Sequence, residues 1–182
     1  DDVAYQAYRK IYDLARSDNK KPFFGVVSFT SPHTPFNVSQ RYWDLYNHND
    51  IDLPAVPEIP FAELDYLSKA LFFAHGRHRH SVTNNHRLSA RHAYYAMISY
   101  LDEKLGQLLE QLEETGLRDN TVVVFTSDHG EMMGERGMWF KQCFWEWSAR
   151  VPLVISDRRT NQATSIQSNC SLVDLLPTFV AL

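Results

Sequence analysis

The segment at residues 121–126 places the strongest constraint on how this chain can fold. Its run of Thr-Val-Val-Val predicts a buried strand, which leads directly into Ser127, Asp128, His129 and Gly130. A carboxylate and an imidazole at the end of a strand, before a glycine where the backbone can turn, put two metal-capable side chains on the rim of a sheet. The motif predicts a metal site at Asp128 and His129. The alternative is a turn aspartate beside a surface histidine, a common pairing at strand ends.

Two other patterns indicate an α/β fold. Residues 23–30 are almost wholly apolar and are bounded by prolines, which is typical of a strand buried on both faces of a parallel sheet. Residues 88–115 carry an apolar stripe at helical spacing, and Gly116 supplies a C-terminal stop.

The order strand, helix, strand predicts a crossover in which the two strands are parallel and end on the same edge. His33, just after the first strand, is therefore expected on the same rim as Asp128 and His129. The remaining pattern predicts a third strand at residues 151–156, a proline-rich loop at 50–60, and helices at about 2–17, 61–73 and 171–182.

Composition excludes several classes of function. The chain has 182 residues, enough for one domain with a core, and 44% of them are hydrophobic. A formal net charge of -4 gives no reason to expect a nucleic-acid partner. No apolar run approaches the roughly 20 residues that span a bilayer. Cys143 and Cys170 are expected to be reduced thiols, and the compartment, cytoplasmic or periplasmic, stays open.

Several motifs together resemble the sulfatase family of the alkaline phosphatase superfamily. They are Asp128-His129-Gly130-Glu131, the segment from Gly134 to Lys141, the turn Ser31-Pro32-His33-Thr34-Pro35, the helix at 91–102 and the segment at 171–178. The Asp-His pair looks most like the choline-sulfatase and phosphonate monoester hydrolase branch. The resemblance implies an alkaline-phosphatase-like α/β fold, with a mostly parallel sheet flanked by helices.

The resemblance also implies roles for individual residues. Asp128 and His129 would bind a divalent metal, with Ca²⁺ the first candidate and Mn²⁺, Mg²⁺ or Zn²⁺ as alternatives. Lys141 would bind the oxygens of a sulfate ester, and His33 would assist the leaving group. Each of the last two could instead be an ordinary surface residue without catalytic duty.

The family's nucleophile motif is not found in this sequence. Sulfatases convert a cysteine or serine in a Cys-x-Pro-x-Arg or Ser-x-Pro-x-Arg motif to formylglycine, and neither Cys143 nor Cys170 lies in such a motif. Residues 1–182 are therefore expected to be the C-terminal part of a catalytic domain, incomplete by itself. Exposed sheet edges would then favour a homo-oligomer or aggregation.

The sequence leaves three functions open. The first is hydrolysis of small sulfate esters, with the choline-sulfatase type as one candidate, and the second is hydrolysis of phosphonate monoesters or phosphodiesters with the same residues. The third is an inactive α/β fragment.

Three minor groups of residues receive weaker hypotheses. The first is a histidine cluster, interpreted as a solvated loop rather than a metal site: His75, His78, His80 and His86. The second is an aromatic group, interpreted as packing rather than a cage for a quaternary ammonium: Trp139, Phe140, Phe144, Trp145 and Trp147. The third is a set of charged residues that could orient the loop: Glu131, Glu135 and Arg136.

Overall fold

The computed structural model describes residues 2–18, 21–160 and 163–182. Its elements in chain order are the helices and strands α1 (Asp2–Arg16), α2 (Gln40–Trp43), α3 (Tyr66–Ala74), α4 (Asn84–Glu114), β1 (Val123–Thr126), α5 (Glu146–Ala149), β2 (Leu153–Ser156) and α6 (Leu175–Ala181). Short 3₁₀ turns lie between several of them. No helix within the described ranges is long and apolar enough to cross a membrane.

Helix α4 is the central support of the structure. It begins at a capping box, in which the Thr83 side chain accepts from the His86 N–H and the His86 ring accepts from the Thr83 N–H. It ends before Gly116, whose φ of 70° suits a residue without a side chain. Its buried face includes Ala93, Ala96, Met97, Leu108 and Leu112.

Two helices pack against α4 through both apolar and polar contacts. From α1, the Tyr8 hydroxyl donates to Gln107 Oε1 at 2.7 Å. From α2, the ring of Tyr42 meets that of Tyr100 edge-on, with centroids 5.5 Å apart. The predicted helix at 2–17 is confirmed as α1, which packs against α4.

The only sheet in the described part of the chain has two antiparallel strands. β1 pairs with β2 in a register that sets Val123 opposite Ser156 and Thr126 opposite Leu153. The predicted strands at 121–126 and 151–156 are confirmed in place, with shorter bounds. The expected parallel sheet is not confirmed, because the neighbour that β1 finds among the described residues is the following strand.

Residues 23–30 do not form the predicted strand. They have no assigned secondary structure, and no strand among the described residues pairs with them through backbone hydrogen bonds. Their apolar side chains are largely exposed, at 72% for Phe24 and 74% for Val26. Phe24 does meet Phe179 of α6, with ring centroids 5.4 Å apart. The apolar pattern thus indicates a buried strand, but a strand also needs neighbours with which to pair.

Other sequence predictions have mixed outcomes. The helix expected at 61–73 is split into a 3₁₀ turn at Phe61–Glu63 and α3. The break comes where Asp65 caps α3 by accepting from the Ser68 N–H at 3.0 Å. Both cysteines are free thiols, Cys143 buried and Cys170 exposed. Oligomerisation stays a prediction.

Candidate active site

His33 lies in a proline-flanked turn that fixes its imidazole. The His33 N–H donates to the Thr30 carbonyl at 3.0 Å, which closes the turn. The ring atom Nδ1 lies 2.8 Å from the Thr34 carbonyl oxygen. Since a carbonyl can only accept, Nδ1 must carry a proton, and Nε2 is the atom left to face the site.

Lys141 reaches His33 from the loop that follows β1. Its ammonium nitrogen lies 2.5 Å from His33 Nε2, so the lysine donates to the unprotonated nitrogen of the imidazole. The residues on either side of it, Phe140 and Gln142, have φ values of 65° and 76°. Non-glycine residues adopt this left-handed conformation only where the surroundings hold them.

His129 lies directly beside this pair. Its ring is 6.0 Å from that of His33, centroid to centroid, in an edge-on arrangement. Its Nδ1–H donates to the Gly130 carbonyl at 2.8 Å, so Nε2 carries no proton and has a free electron pair. Gly130 is required here, because a Cβ at this position would lie 2.0 Å from the Trp147 carbonyl oxygen.

Asp128 presents its carboxylate on the same side as the His129 ring. Asp128 Oδ2 lies 3.7 Å from His129 Nε2, and the Asp128 side chain is 87% exposed. One oxygen and one nitrogen donor with free electron pairs suit a divalent cation. The described residues contain no group of three or more His, Cys, Asp or Glu side chains that could hold a metal. Asp128 and His129 fit such an ion as partial ligands.

Glu131 closes the base of the loop. Its carboxylate accepts from the N–H of Phe140 at 2.5 Å and from the N–H of Met133 at 3.3 Å. Burial raises the pKa of the Glu131 carboxyl above its usual range, while these two N–H groups and the charge of Lys141 act in the opposite direction. Glu131 therefore ties the segment after His129 to the segment before Lys141.

Glu135 ties the loop to the proline-rich segment and to α4. It is 1% exposed, and its carboxylate accepts from the N–H groups of Ala55 and Val56 at 3.0 and 2.8 Å. The guanidinium of Arg91 lies 3.5 Å away. The sequence indicates only that Glu135 could orient the loop; no local pattern marks residues so distant along the chain as its partners.

The histidine cluster is dispersed. His86 caps α4, and the ring of His78 lies against Phe73 at 5.1 Å. His75 donates from Nε2 to the side-chain oxygen of Gln142 at 2.6 Å. The interpretation of the cluster as a solvated loop stays a prediction. The contact of His75 beside Lys141 has no counterpart in the sequence pattern.

One ring of the aromatic group already has a cation against its face. The Arg136 guanidinium lies over the ring of Trp145, 3.8 Å from its centroid. Phe140 meets His75, and Phe144 is 92% exposed. Since a protein cation already occupies the face of Trp145, the packing interpretation fits better than a site for a quaternary ammonium.

Comparison with known proteins gives a consistent result. The family model described as Sulfatase matches residues 1–182. A choline-sulfatase of Rhizobium meliloti (strain 1021) is 43% identical over 159 residues, which are 86% of this chain and 31% of that protein. An arylsulfatase of Clostridium perfringens (strain 13 / Type A) is 36% identical over 148 residues, or 79% of this chain and 29% of that protein.

Solved structures show the same likeness. The phosphonate monoester hydrolase of Agrobacterium radiobacter has a TM-score of 0.71 and 33% identity, over 86% of this chain and 33% of that one. The protein yidJ of Bacteroides fragilis, assigned as a sulfatase, has a TM-score of 0.63 and 33% identity, over 86% of this chain and 30% of that one. The fold is therefore sulfatase-like, within the alkaline phosphatase superfamily. The chain spans about a third of the length of these relatives.

Proposed function

The chain belongs to the sulfatase family, and from that premise we propose that the full-length protein hydrolyses small sulfate esters with a divalent metal bound in part by Asp128 and His129. The observation that carries the proposal is the meeting of His33, Lys141 and His129 on one edge of the structure. The 43% identity to a choline-sulfatase supports sulfate esters as the substrate class.

Lys141 is proposed to bind the sulfate oxygens. Its ammonium has three donors, and the contact with His33 Nε2 uses one of them. The other two are available for an anion. Because charge builds up on the leaving oxygen and is redistributed over the sulfate oxygens during the reaction, a fixed cation beside them lowers the barrier. Glu131 and the loop keep this cation in place.

His33 is proposed to protonate the leaving alcohol. Its Nδ1 proton is held by the Thr34 carbonyl, so a second proton can be taken up only at Nε2. An imidazolium formed in this way would donate its Nε2 proton to the departing ester oxygen as the S–O bond breaks, and would return to neutral imidazole.

Asp128 and His129 are proposed to hold one side of a metal, with Ca²⁺ as the first candidate. When bound, such an ion would polarise the sulfate group and orient a nucleophile. We propose that the other ligands and a formylglycine nucleophile come from residues outside these 182, which is supported by the absence of the nucleophile motif from this sequence and by its one-third coverage of its relatives. The 182 residues alone are expected to be inactive.

A second candidate is hydrolysis of phosphonate monoesters. The Agrobacterium radiobacter enzyme named for that activity shares the fold with a TM-score of 0.71 and 33% identity. The same lysine, histidine and metal could act on a phosphonate, whose oxygens also carry negative charge in the transition state.

The test compares substrates and one pair of variants in the full-length protein. Choline sulfate, 4-nitrophenyl sulfate and a phenylphosphonate monoester would be assayed for wild type, Lys141→Ala and Lys69→Ala. Lys69 is a fair control because it lies on α3 and its ammonium donates to the Ala62 carbonyl at 3.0 Å, away from Lys141. We expect sulfate esters to be preferred, and Lys141→Ala to lower kcat/KM about 100-fold to 1000-fold. Preference for the phosphonate would favour the second candidate, and no hydrolysis of any of the three would reject both.

A further inference from the structure

Lys141 belongs to a short segment whose backbone conformation needs support. The lysine segment is defined as Phe140, Lys141 and Gln142, and its two outer residues lie in the left-handed region with φ of 65° and 76°. Neither is a glycine, so each would relax to a commoner conformation if released. The position of the ammonium therefore depends on what holds its two neighbours.

One side of the lysine segment is held by its own loop. The Phe140 N–H donates to Glu131, and the Phe140 carbonyl accepts from the Met132 N–H at 2.7 Å. These bonds fix the beginning of the segment. They do not restrain Gln142, which comes after the lysine and is exposed.

His75 contacts both outer residues of the lysine segment. Its Nε2–H donates to Gln142 Oε1 at 2.6 Å. Its ring stands perpendicular to that of Phe140, with centroids 5.0 Å apart and an interplanar angle of 90°. A single side chain thus bridges the residues before and after Lys141.

His75 is itself fixed by a rigid element. It is the first residue after α3, and its N–H donates to the Leu71 carbonyl at 2.8 Å. Leu71 lies in the buried cluster with Met132, Met138 and Cys143. The backbone of His75 is therefore fixed by the same buried cluster that supports the loop. Through its contacts with Phe140 and Gln142, the imidazole restrains the lysine segment.

We propose that His75 is a positioning residue for Lys141, acting through Phe140 and Gln142. It extends the proposed function, since it matters for catalysis only if Lys141 binds the sulfate group. The other histidines of the cluster have different contacts: His86 caps α4 and His78 lies against Phe73. This role separates His75 from neighbours that its sequence context does not distinguish.

The experiment uses three variants of the full-length protein. His75→Phe keeps a ring beside Phe140 and removes the donor to Gln142, whereas His75→Gln offers a side-chain amide N–H in its place. His78→Ala is the matched control from the same loop. Two properties are measured: the inhibition constant of inorganic sulfate against ester hydrolysis, and amide hydrogen exchange of the peptide containing residues 140–142.

We expect His75→Phe to raise the inhibition constant about 3-fold to 10-fold and to speed exchange in that peptide, since one hydrogen bond and its rigidity are lost. His75→Gln should recover most of both effects. If His75→Phe matches His78→Ala in both measurements, the proposal is overturned. Faster exchange with unchanged sulfate inhibition would also overturn it, because His75 would then only stabilise the loop. If the wild type neither hydrolyses sulfate esters nor binds sulfate, the proposed function fails, and hydrogen exchange still decides whether His75 holds the lysine segment.

Discussion

The Nε2 atom of His33 and the ammonium nitrogen of Lys141 lie 2.5 Å apart, although 108 positions separate the two residues in sequence. The proton on His33 Nδ1 is committed to the Thr34 carbonyl, so the imidazole meets the lysine with its electron pair. In this contact the lysine is the donor and the imidazole nitrogen is the acceptor. An arriving anion would draw the lysine toward itself and free His33 Nε2 for the proton that it later donates.

Replacing Asp128 should weaken metal binding in the full-length protein. Asp128→Ala removes one oxygen donor, and we expect the affinity for the divalent ion to fall at least about 100-fold, because even outer residues of metal sites contribute 10-fold to 100-fold. Metal content after dialysis, measured by mass spectrometry, checks this. Asp119→Ala is the control, since both carboxylates have side chains 87% exposed. Equal metal content in the two variants would remove Asp128 from the site.

Two glycine substitutions should change stability in opposite directions. Gly130→Ala drives a Cβ against the Trp147 carbonyl, a backbone atom that cannot move cheaply, and should lower the free energy of unfolding by about 2–3 kcal/mol. Gly106→Ala lies within α4 with nothing within 4 Å of the new Cβ, so it should raise this free energy by about 0.5–1 kcal/mol. Urea unfolding of both variants measures the difference. A neutral Gly130→Ala would contradict the close approach described here.

Removing Glu135 should be strongly destabilising. Glu135→Ala removes a buried carboxylate and leaves the N–H groups of Ala55 and Val56 and part of Arg91 without their acceptor, and we expect a loss of about 3–5 kcal/mol in the free energy of unfolding. Arg41→Ala breaks a pair with Glu103 and a contact with the Tyr42 ring, but the arginine side chain is 69% exposed, so the change should cost about 1 kcal/mol or less. The two variants are compared by denaturant unfolding. Similar losses would mean that the Glu135 contacts do not anchor the loop.

Helix α3 should lose stability in acid through its N-terminal cap. Hydrogen bonds from the Ser68 hydroxyl, and then from the Ser68 N–H, lower the pKa of Asp65 below its ordinary value of 3.8. Because the pKa is depressed in the folded protein, this stabilisation is complete above the unfolded pKa of about 3.9 and is lost as pH falls through the folded value. Asp65→Asn keeps an acceptor but cannot titrate. The free energy of unfolding of Asp65→Asn should therefore fall furthest below that of wild type near pH 6–7, and the difference should shrink below about pH 4.

Unfolding free energies of wild type and Asp65→Asn at pH 7, 5 and 3 test this expectation. A deficit that stays constant across the range would assign the acid sensitivity to other carboxyl groups. Ser68→Ala, which removes the largest cause of the pKa shift, should also reduce the pH dependence.

Local patterns predict much of the fold. The stripe at 88–115 predicts α4 with an error of four residues at its start, because Thr83 and His86 form a capping box without the usual glutamate. The strand at 121–126 is also recognised from its β-branched residues. Whether two strands pair parallel or antiparallel cannot be predicted from local patterns in this way, because it depends on which other segment lies beside the strand. The antiparallel partner of β1 could not be read from β1 itself.

The site shows the same division. Asp128, His129, Lys141 and His33 are recognisable from motifs, and the structure brings them together. His75 is not, since its place beside Gln142 depends on where α3 ends and how the loop packs against it. Glu135 likewise finds its partners in Ala55 and Val56, about 80 positions earlier, and only the folded chain shows that contact.

The register of β1 and β2 has a further consequence for how such a site could change. Thr126 stands opposite Leu153, and its hydroxyl also donates to the Pro152 carbonyl at 2.9 Å, so both ends of the intervening stretch 127–152 are fastened at one point. That stretch contains Asp128, His129 and Lys141. A related stretch of another length could be joined between the same two strand ends and would exchange the metal and anion contacts. It would also have to replace Glu135, which lies 3.5 Å from Arg91 of α4, so that the helical support keeps its acceptor.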